Sequence, residues 1–454
     1  MIENYFVFDS NVVTVIITAS LRLFMKSVPW IILIFLLCFN SNFAQQNKIT
    51  DQIQEALNLI QSHQFDAAEK LLRKLQTAAP DNVDVYNLLG ILFDQKGIPA
   101  EAEKQFRQAL AVNPKAISPR SNLGVLLAKS LRKTEAIQIF ETVIRLAPNH
   151  PEATINLGFL YNATGNYLKA VEYLKKANAI KPDTYDIVFN LGVALYNVKS
   201  FDDASQSFEL ASALSPTSAE PLYWLGMVAF NRNQDDIAKN YFQRALSVRP
   251  DYTDPNFMLG ELYTKYKNYS EAKNYYQLVL KNDPTKPVYY IRLGGTYLLL
   301  KDFTNAQKIF KKGSESFPKM PEIRYFLAIT ERASGNFETA LDEAKKSLAI
   351  KETADADALV GSIMIDQNKI AEAEKFLRKA LLINPRHFNS LNDLGRLLVK
   401  DRRFEEAIPI LQFAATLSAS PDVHYRLFIA YTRTKRKIEA THELEVFKRL
   451  TGEK

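Results

Sequence analysis

From residue 49 to the C-terminus, apolar residues fall into short segments with the 3.6-residue spacing of one helical face, separated by brief polar stretches. Leu123, Val125, Leu126 and Leu127 form one such stripe. After a polar turn, Ala136, Ile139, Phe140, Val143 and Ile144 form the next. Turn signals such as Thr164-Gly165-Asn166 and Ser334-Gly335-Asn336 sit between the two stripes of a pair. A proline follows the second stripe in strings such as Ala111-Val112-Asn113-Pro114 and Ser247-Val248-Arg249-Pro250, where it cannot continue a helix. The pattern predicts helix, turn, helix and a proline-fixed connection, repeated along the chain.

The repeat has a fixed length. Gly90, Gly124, Gly158, Gly192, Gly226, Gly260 and Gly294 are 34 residues apart, as are Pro80, Pro114, Pro148, Pro182, Pro216, Pro250, Pro284 and Pro318. Ala68, Ala102, Ala136, Ala170, Ala204, Ala238, Ala272, Ala306 and Ala340 keep the same interval, twelve residues after each glycine position. Such a period marks a stacked array of two-helix units. The expected reason for the small residues is close crossing of helices within a unit, Gly on the first and Ala on the second. Nine of the fifteen glycines lie at this one position, against a helix cost of about 1 kcal/mol each relative to Ala. Counted in phase, units begin near residues 49, 83, 117, 151, 185, 219, 253, 287, 321, 354, 388 and 421, about twelve helix pairs.

The motif Leu157-Gly158, Tyr161, Ala170, Leu174, Ala177 and Pro182 resembles the tetratricopeptide repeat, and the neighbouring units follow it. The resemblance is specific through residue 320 and looser beyond. It implies an all-α solenoid over residues 45–454: a right-handed superhelix of antiparallel helix pairs, its concave side lined by the first helix of each unit. The ninth unit departs from the pattern. It has Ala328 for Gly, Glu331 where an aromatic is expected, one residue fewer, and Glu352 near the proline position. A looser joint around residues 349–356, or ordinary drift, accounts for this equally well. The last unit has Phe428 at the glycine position, and its second helix, ending at Lys448-Arg449, reads as a polar cap.

Residues 1–44 read differently. From Met25, a short basic start precedes an apolar run from Val28 to Phe39 and then Asn42-Phe43-Ala44, the order of a secretory signal with cleavage after Ala44. Met25 is then the expected true start. The run is short for a membrane span, which needs about 20 residues, and an uncleaved inner-membrane anchor is the alternative. Cys38, the one cysteine, lies inside this run after Leu36 and Leu37, without the small residues that precede a lipidated cysteine. The expected location is the periplasm or exterior of a bacterium.

Composition adds little to this picture. The net charge of +7 is mild over 454 residues, and the densest basic run is Arg433, Lys435, Arg436 and Lys437 in the final inter-helix turn. The run reads as a solvated turn or as a contact for an anionic partner, and with no concentrated basic stripe nucleic acid is disfavoured. His63, His150, His387, His424 and His442 are scattered, no phosphate-binding glycine loop occurs, and His442-Glu443 lacks the second histidine of a helical zinc site. The expectation is no enzyme, no cofactor and no metal.

The candidate site is therefore the shared face of the first helices. Just before the Leu-Gly pair, three units carry Asn122, Asn156 and Asn190, which offer donors and acceptors to an extended backbone. They resemble the asparagine ladder in the repeat superhelix of O-linked N-acetylglucosamine transferases, whose transferase domain is absent here. Farther along, Tyr223, Trp224, Phe230 and Phe257 make the face aromatic, as binding anchors or as packing between repeats. The residues after each glycine from Ile91 to Gly295 include no asparagine, against a carboxylate clamp of the kind some relatives use. The expected function is a non-catalytic scaffold holding partner proteins or peptides in the concave groove, in the cell envelope. Exopolysaccharide or envelope assembly and an accessory role to a glycosyltransferase are the alternatives.

Overall fold

The structure, a computed structural model, describes residues 47–452. The expected signal segment, including Met25, Cys38 and Ala44, lies outside the described residues. Twenty-four helices and no strand occur among the described residues, the first spanning 47–61 and the last Lys437–Thr451. The fold is all-α and built of stacked helix pairs, as the periodicity requires. The chain divides into two compact units, one ending at Leu214 and the other beginning at Ser215.

Within each pair the alanines are buried as expected, Ala102, Ala136, Ala170 and Ala204 all at 0 % exposure. The glycines serve a purpose different from the Gly-against-Ala crossing read from sequence. A Cβ placed on Gly124 would meet the ring of Phe140 at 2.8 Å, and one on Gly192 the ring of Phe208 at 2.7 Å. The same geometry joins Gly226 to Phe242, Gly260 to Tyr276, Gly158 to Leu174 and Gly361 to Leu377. Each glycine is a slot for the large residue sixteen positions on, which lies on the second helix. Burying a whole ring there outweighs the glycine's helix cost.

The turn inside each pair also repeats. Gly97, Gly165 and Gly335 take left-handed φ, and at the same register so do His63, Leu131, Lys199, Asn233, Lys267, Lys301, Asn368, Arg402 and Lys435. The reason is a helix-ending motif: Leu131 N–H donates to the Ala128 carbonyl and Arg132 N–H to the Leu127 carbonyl, at 3.1 and 2.9 Å. The geometry belongs to the helix end, so residues without glycine's freedom adopt it.

The joint at residues 349–356 is packed rather than loose. Only residues 351–353 link Phe337–Ile350 to Ala354–Asp366, and the second of these helices is buried on nearly every side. One apolar core runs without interruption from Ala328 to Ala440 across it. The last helix buries Ala440 alone, while its Phe447 covers Tyr425 at 5.2 Å.

Candidate functional site

The three asparagines occupy one register on consecutive first helices, Ile117–Lys129, Pro151–Ala163 and Tyr185–Asn197. All three are half-buried. Asn122 donates to Asn87 Oδ1 on the first helix of the preceding pair at 2.9 Å. Asn156 and Asn190 turn their amides onto their own helices, donating to the carbonyls of Glu152 and Asp186 at 2.9 and 2.8 Å. Asn190 Oδ1 accepts from Asn162 Nδ2 at 3.0 Å. The row is thus steadied by internal bonds, and each amide keeps a second N–H beyond the bonds described.

The aromatic positions lie in the other unit and are packed. Tyr223 is 5.6 Å from Trp224, 5.9 Å from Phe242 and 5.5 Å from Tyr252. Phe257 bridges Tyr276 and Tyr289 at 5.9 and 5.4 Å, and Phe230 rests on the core around Phe242 and Leu259. Tyr223 and Phe257 each lean on their own second helix, through Phe242 and Tyr276, and reach toward the next pair through Tyr252 and Tyr289, so these two side chains hold the stack together.

A site that the sequence reading did not single out lies farther along the second unit. A cavity of about 340 Å³ opens across three consecutive first helices, Pro321–Ala333, Ala354–Asp366 and Phe388–Lys400, lined by Tyr325, Arg332, Asp355, His387, Asn392 and Asp393. The middle helix contributes Asp355, Ala358, Leu359 and Ser362 to its lining. Arg332 Nε pairs with Asp366 at 2.6 Å, and the adjoining Arg396 reaches Asp366 and Asp393 at 3.5 and 3.3 Å. His387 caps its own helix by accepting at Nδ1 from Ser390 N–H, which leaves Nε2 to donate to Asp355 at 3.0 Å. Burial and the neighbouring Asp355 push the Tyr325 hydroxyl upward, so it stays protonated as a donor. Asn392 Oδ1 accepts from Arg426 at 2.7 Å.

This wall presents fixed hydrogen-bond donors and acceptors to a ligand. Among the described residues no group of His, Cys, Asp and Glu could hold a metal ion, and no helix is long and apolar enough to cross a membrane. The sequence reading fixed on the residue before Leu-Gly. The cavity instead uses Arg332, four residues after the glycine position, and Asp355, six before it. A register comparison would have singled out Arg332, whose position is otherwise uncharged in the units from Ala128 to Val399, but not Asp355, whose position is acidic in most units. The basic run is partly consumed: Arg436 pairs with Glu439 at 2.9 Å and lies over the Tyr431 ring.

Sequence models of the tetratricopeptide repeat match residues 53–119, 134–185, 219–252, 236–292, 288–319 and 358–387, together more than half of the chain. The chain belongs to the tetratricopeptide repeat family. Members of this family are protein-interaction scaffolds and are generally non-catalytic. No curated protein matches the sequence. Among solved structures, the chain is similar to the Cut9–Hcn1 hetero-tetramer of the APC/C, with 14% identity, 88% of this chain and 93% of that one covered, and a TM-score of 0.43. It is also similar to the C-terminal part of a repeat protein from Cytophaga hutchinsonii, with 19% identity, 53% and 99% covered, and a TM-score of 0.43. A third is PilF from Pseudomonas aeruginosa, with 21% identity, 48% and 99% covered, and a TM-score of 0.41. The tetratricopeptide units recognised by the sequence models include those carrying Asn156, Tyr223, Trp224 and Phe257.

Proposed function

We propose that this chain is a non-catalytic scaffold that takes an extended segment of a partner protein along the exposed side of its first helices, and that it does so in the bacterial cell envelope after export. The cavity between Tyr325, Arg332, Asp355 and His387 carries the reading, because three successive first helices contribute polar groups to one surface. The amide row at Asn122, Asn156 and Asn190 supports it at a second place, with backbone-matching chemistry. A stiff array holds these groups in position before the partner arrives, which lowers the ordering cost of binding. Export rests on the basic start at Lys26, the apolar run from Val28 to Phe39 and the small residue Ala44.

The test is selection of peptides from a random library on the purified chain, followed by affinity measurement. Binding that falls roughly tenfold in Arg332→Ala, or in Asn122→Ala/Asn156→Ala/Asn190→Ala, with the fold intact supports the groove. Selected peptides indifferent to both sets refute it. A glycan array bound by the wild type and lost in Trp224→Ala would transfer the chain to the polysaccharide reading. N-terminal sequencing of the protein from its host decides cleavage: Gln45 as first residue supports export by a cleaved signal, and Met1 or Met25 overturns cleavage and moves the chain to the inner membrane as an anchored protein.

A further inference from the structure

A second polar cavity, of about 650 Å³, lies between consecutive second helices Phe303–Ser316 and Phe337–Ile350, over the first helix Pro321–Ala333. One repeat earlier, the same four positions are filled by Leu280, Tyr290, Tyr297 and Ile309, apolar or aromatic residues packed into the core. Here they are Ser314, Arg324, Glu331 and Glu343, and Ser314, Glu331 and Glu343 are at least nine-tenths buried, at 6, 4 and 9 % exposure. Four polar replacements in one seam weaken the packing that holds neighbouring repeats together.

The charges in the seam do not balance. Glu343 is neutralised by Arg324 at 2.8 Å and Lys346 at 2.7 Å. Glu331 has no ion pair among the described residues. Its Oε1 accepts from Gln307 Nε2 at 2.6 Å and its Oε2 from Asn336 Nδ2 at 2.8 Å, both neutral donors. Donating through nitrogen leaves the amide oxygens of Gln307 and Asn336 beside the carboxylate as further acceptors. Lys346 is shared with Asp342 at 2.6 Å, and among the lining residues Glu315, Glu331 and Glu343 face only Lys311 and Arg324, so one negative charge is in excess. In the preceding repeat Tyr297 fills the corresponding space and its hydroxyl accepts from Gln277 at 2.7 Å; Glu331 removes that ring and supplies a buried charge in its place.

We propose that this seam is a binding site for an organic cation, a guanidinium or primary ammonium group, held by Glu331 with Gln307 and Asn336 around it. Several N–H donors on one cation match several converging acceptors, and the ligand's charge supplies the missing partner of Glu331. The site uses the second-helix side of the repeats and is independent of the groove on the first helices.

The test is calorimetric titration of the full chain with n-butylguanidinium, n-butylammonium and a blocked Gly-Gly-Arg-Gly-Gly peptide, with n-butylurea as the neutral control. Binding of any of the three cations but not of the urea is expected, weakened roughly tenfold or more in Glu331→Gln. The small cations binding as well as the peptide identifies a small free cation; the peptide alone binding identifies a side chain of a protein partner. In Glu331→Tyr, which restores the ring found at Tyr297, binding should vanish while the melting temperature is kept or raised. No binding of any cation, or binding untouched by Glu331→Gln and Glu331→Tyr, overturns the proposal.

Discussion

A Cβ on Gly294 would lie 2.5 Å from the ring of Phe310, which is fully buried on the facing helix. The next residue, Gly295, would meet nothing within 4 Å. Two adjacent glycines therefore have opposite standing. Gly294→Ala must displace an immobile ring and should cost about 1–3 kcal/mol. Gly295→Ala only removes a helix-breaking residue from an open face and should add about 1 kcal/mol. Urea denaturation of the two variants measures both; equal effects would refute the ring-slot account.

The ninth repeat follows the same rule in reverse. Ala328 takes the glycine position, and the residue sixteen on, a ring in most other repeats, is Ala344, buried at 1 % exposure. Ala344→Phe alone should destabilise by overpacking, about 1–3 kcal/mol. Adding Ala328→Gly should recover part of that loss. A double-mutant cycle with no coupling would show that the two positions do not meet.

Leu131 sits at φ 61°, with its side chain 79 % exposed. A left-handed backbone costs a residue with a Cβ about 1–2 kcal/mol, and this side chain gains nothing from burial there. Leu131→Gly should raise stability by up to about 1 kcal/mol, the remainder being lost to the greater freedom of glycine in the unfolded chain. Thermal unfolding checks this, and a lowered melting temperature would refute it.

Asp357 is fully buried, with neither carboxylate oxygen hydrogen-bonded and Lys379 Nζ no nearer than 3.5 Å. Burial pushes its pKa above the ordinary 3.8, and Lys379 offsets this only in part, with Glu352 adding to the rise. The folded state therefore holds this proton more tightly than the unfolded chain does. Its contribution to stability is full below the ordinary 3.8 and is lost as pH rises through the raised value. Relative to Asp357→Asn, the wild type should lose melting temperature as pH climbs from 3 toward 7. A difference that stays constant with pH would refute the assignment.

The helix pairs, their length and their register were legible in the sequence because each repeat solves the same packing problem. Glycine, alanine and proline recur wherever the backbone tolerates nothing else. What each glycine faces was not legible. Ala102 and Phe106 both lie on the second helix, and only the rotation of that helix against the first decides which one meets Gly90. The candidate residues behaved in the same way. Asn122, Asn156 and Asn190 share a face because their spacing puts them there, yet the partners of their amides depend on side-chain reach to Asn87, Glu152 and Asp186.

The linear order of residues thus determined the architecture, since periodic local constraints add up along a repeat array. The two polar cavities were decided only by the tertiary structure. Arg332, Asp355 and His387 are scattered over 56 positions in sequence, and Gln307, Glu331 and Asn336 belong to three different helices or their ends. Charge balance and burial arise only when the repeats are stacked, because they depend on which side chains of adjacent pairs come within hydrogen-bonding distance, and no periodicity encodes that.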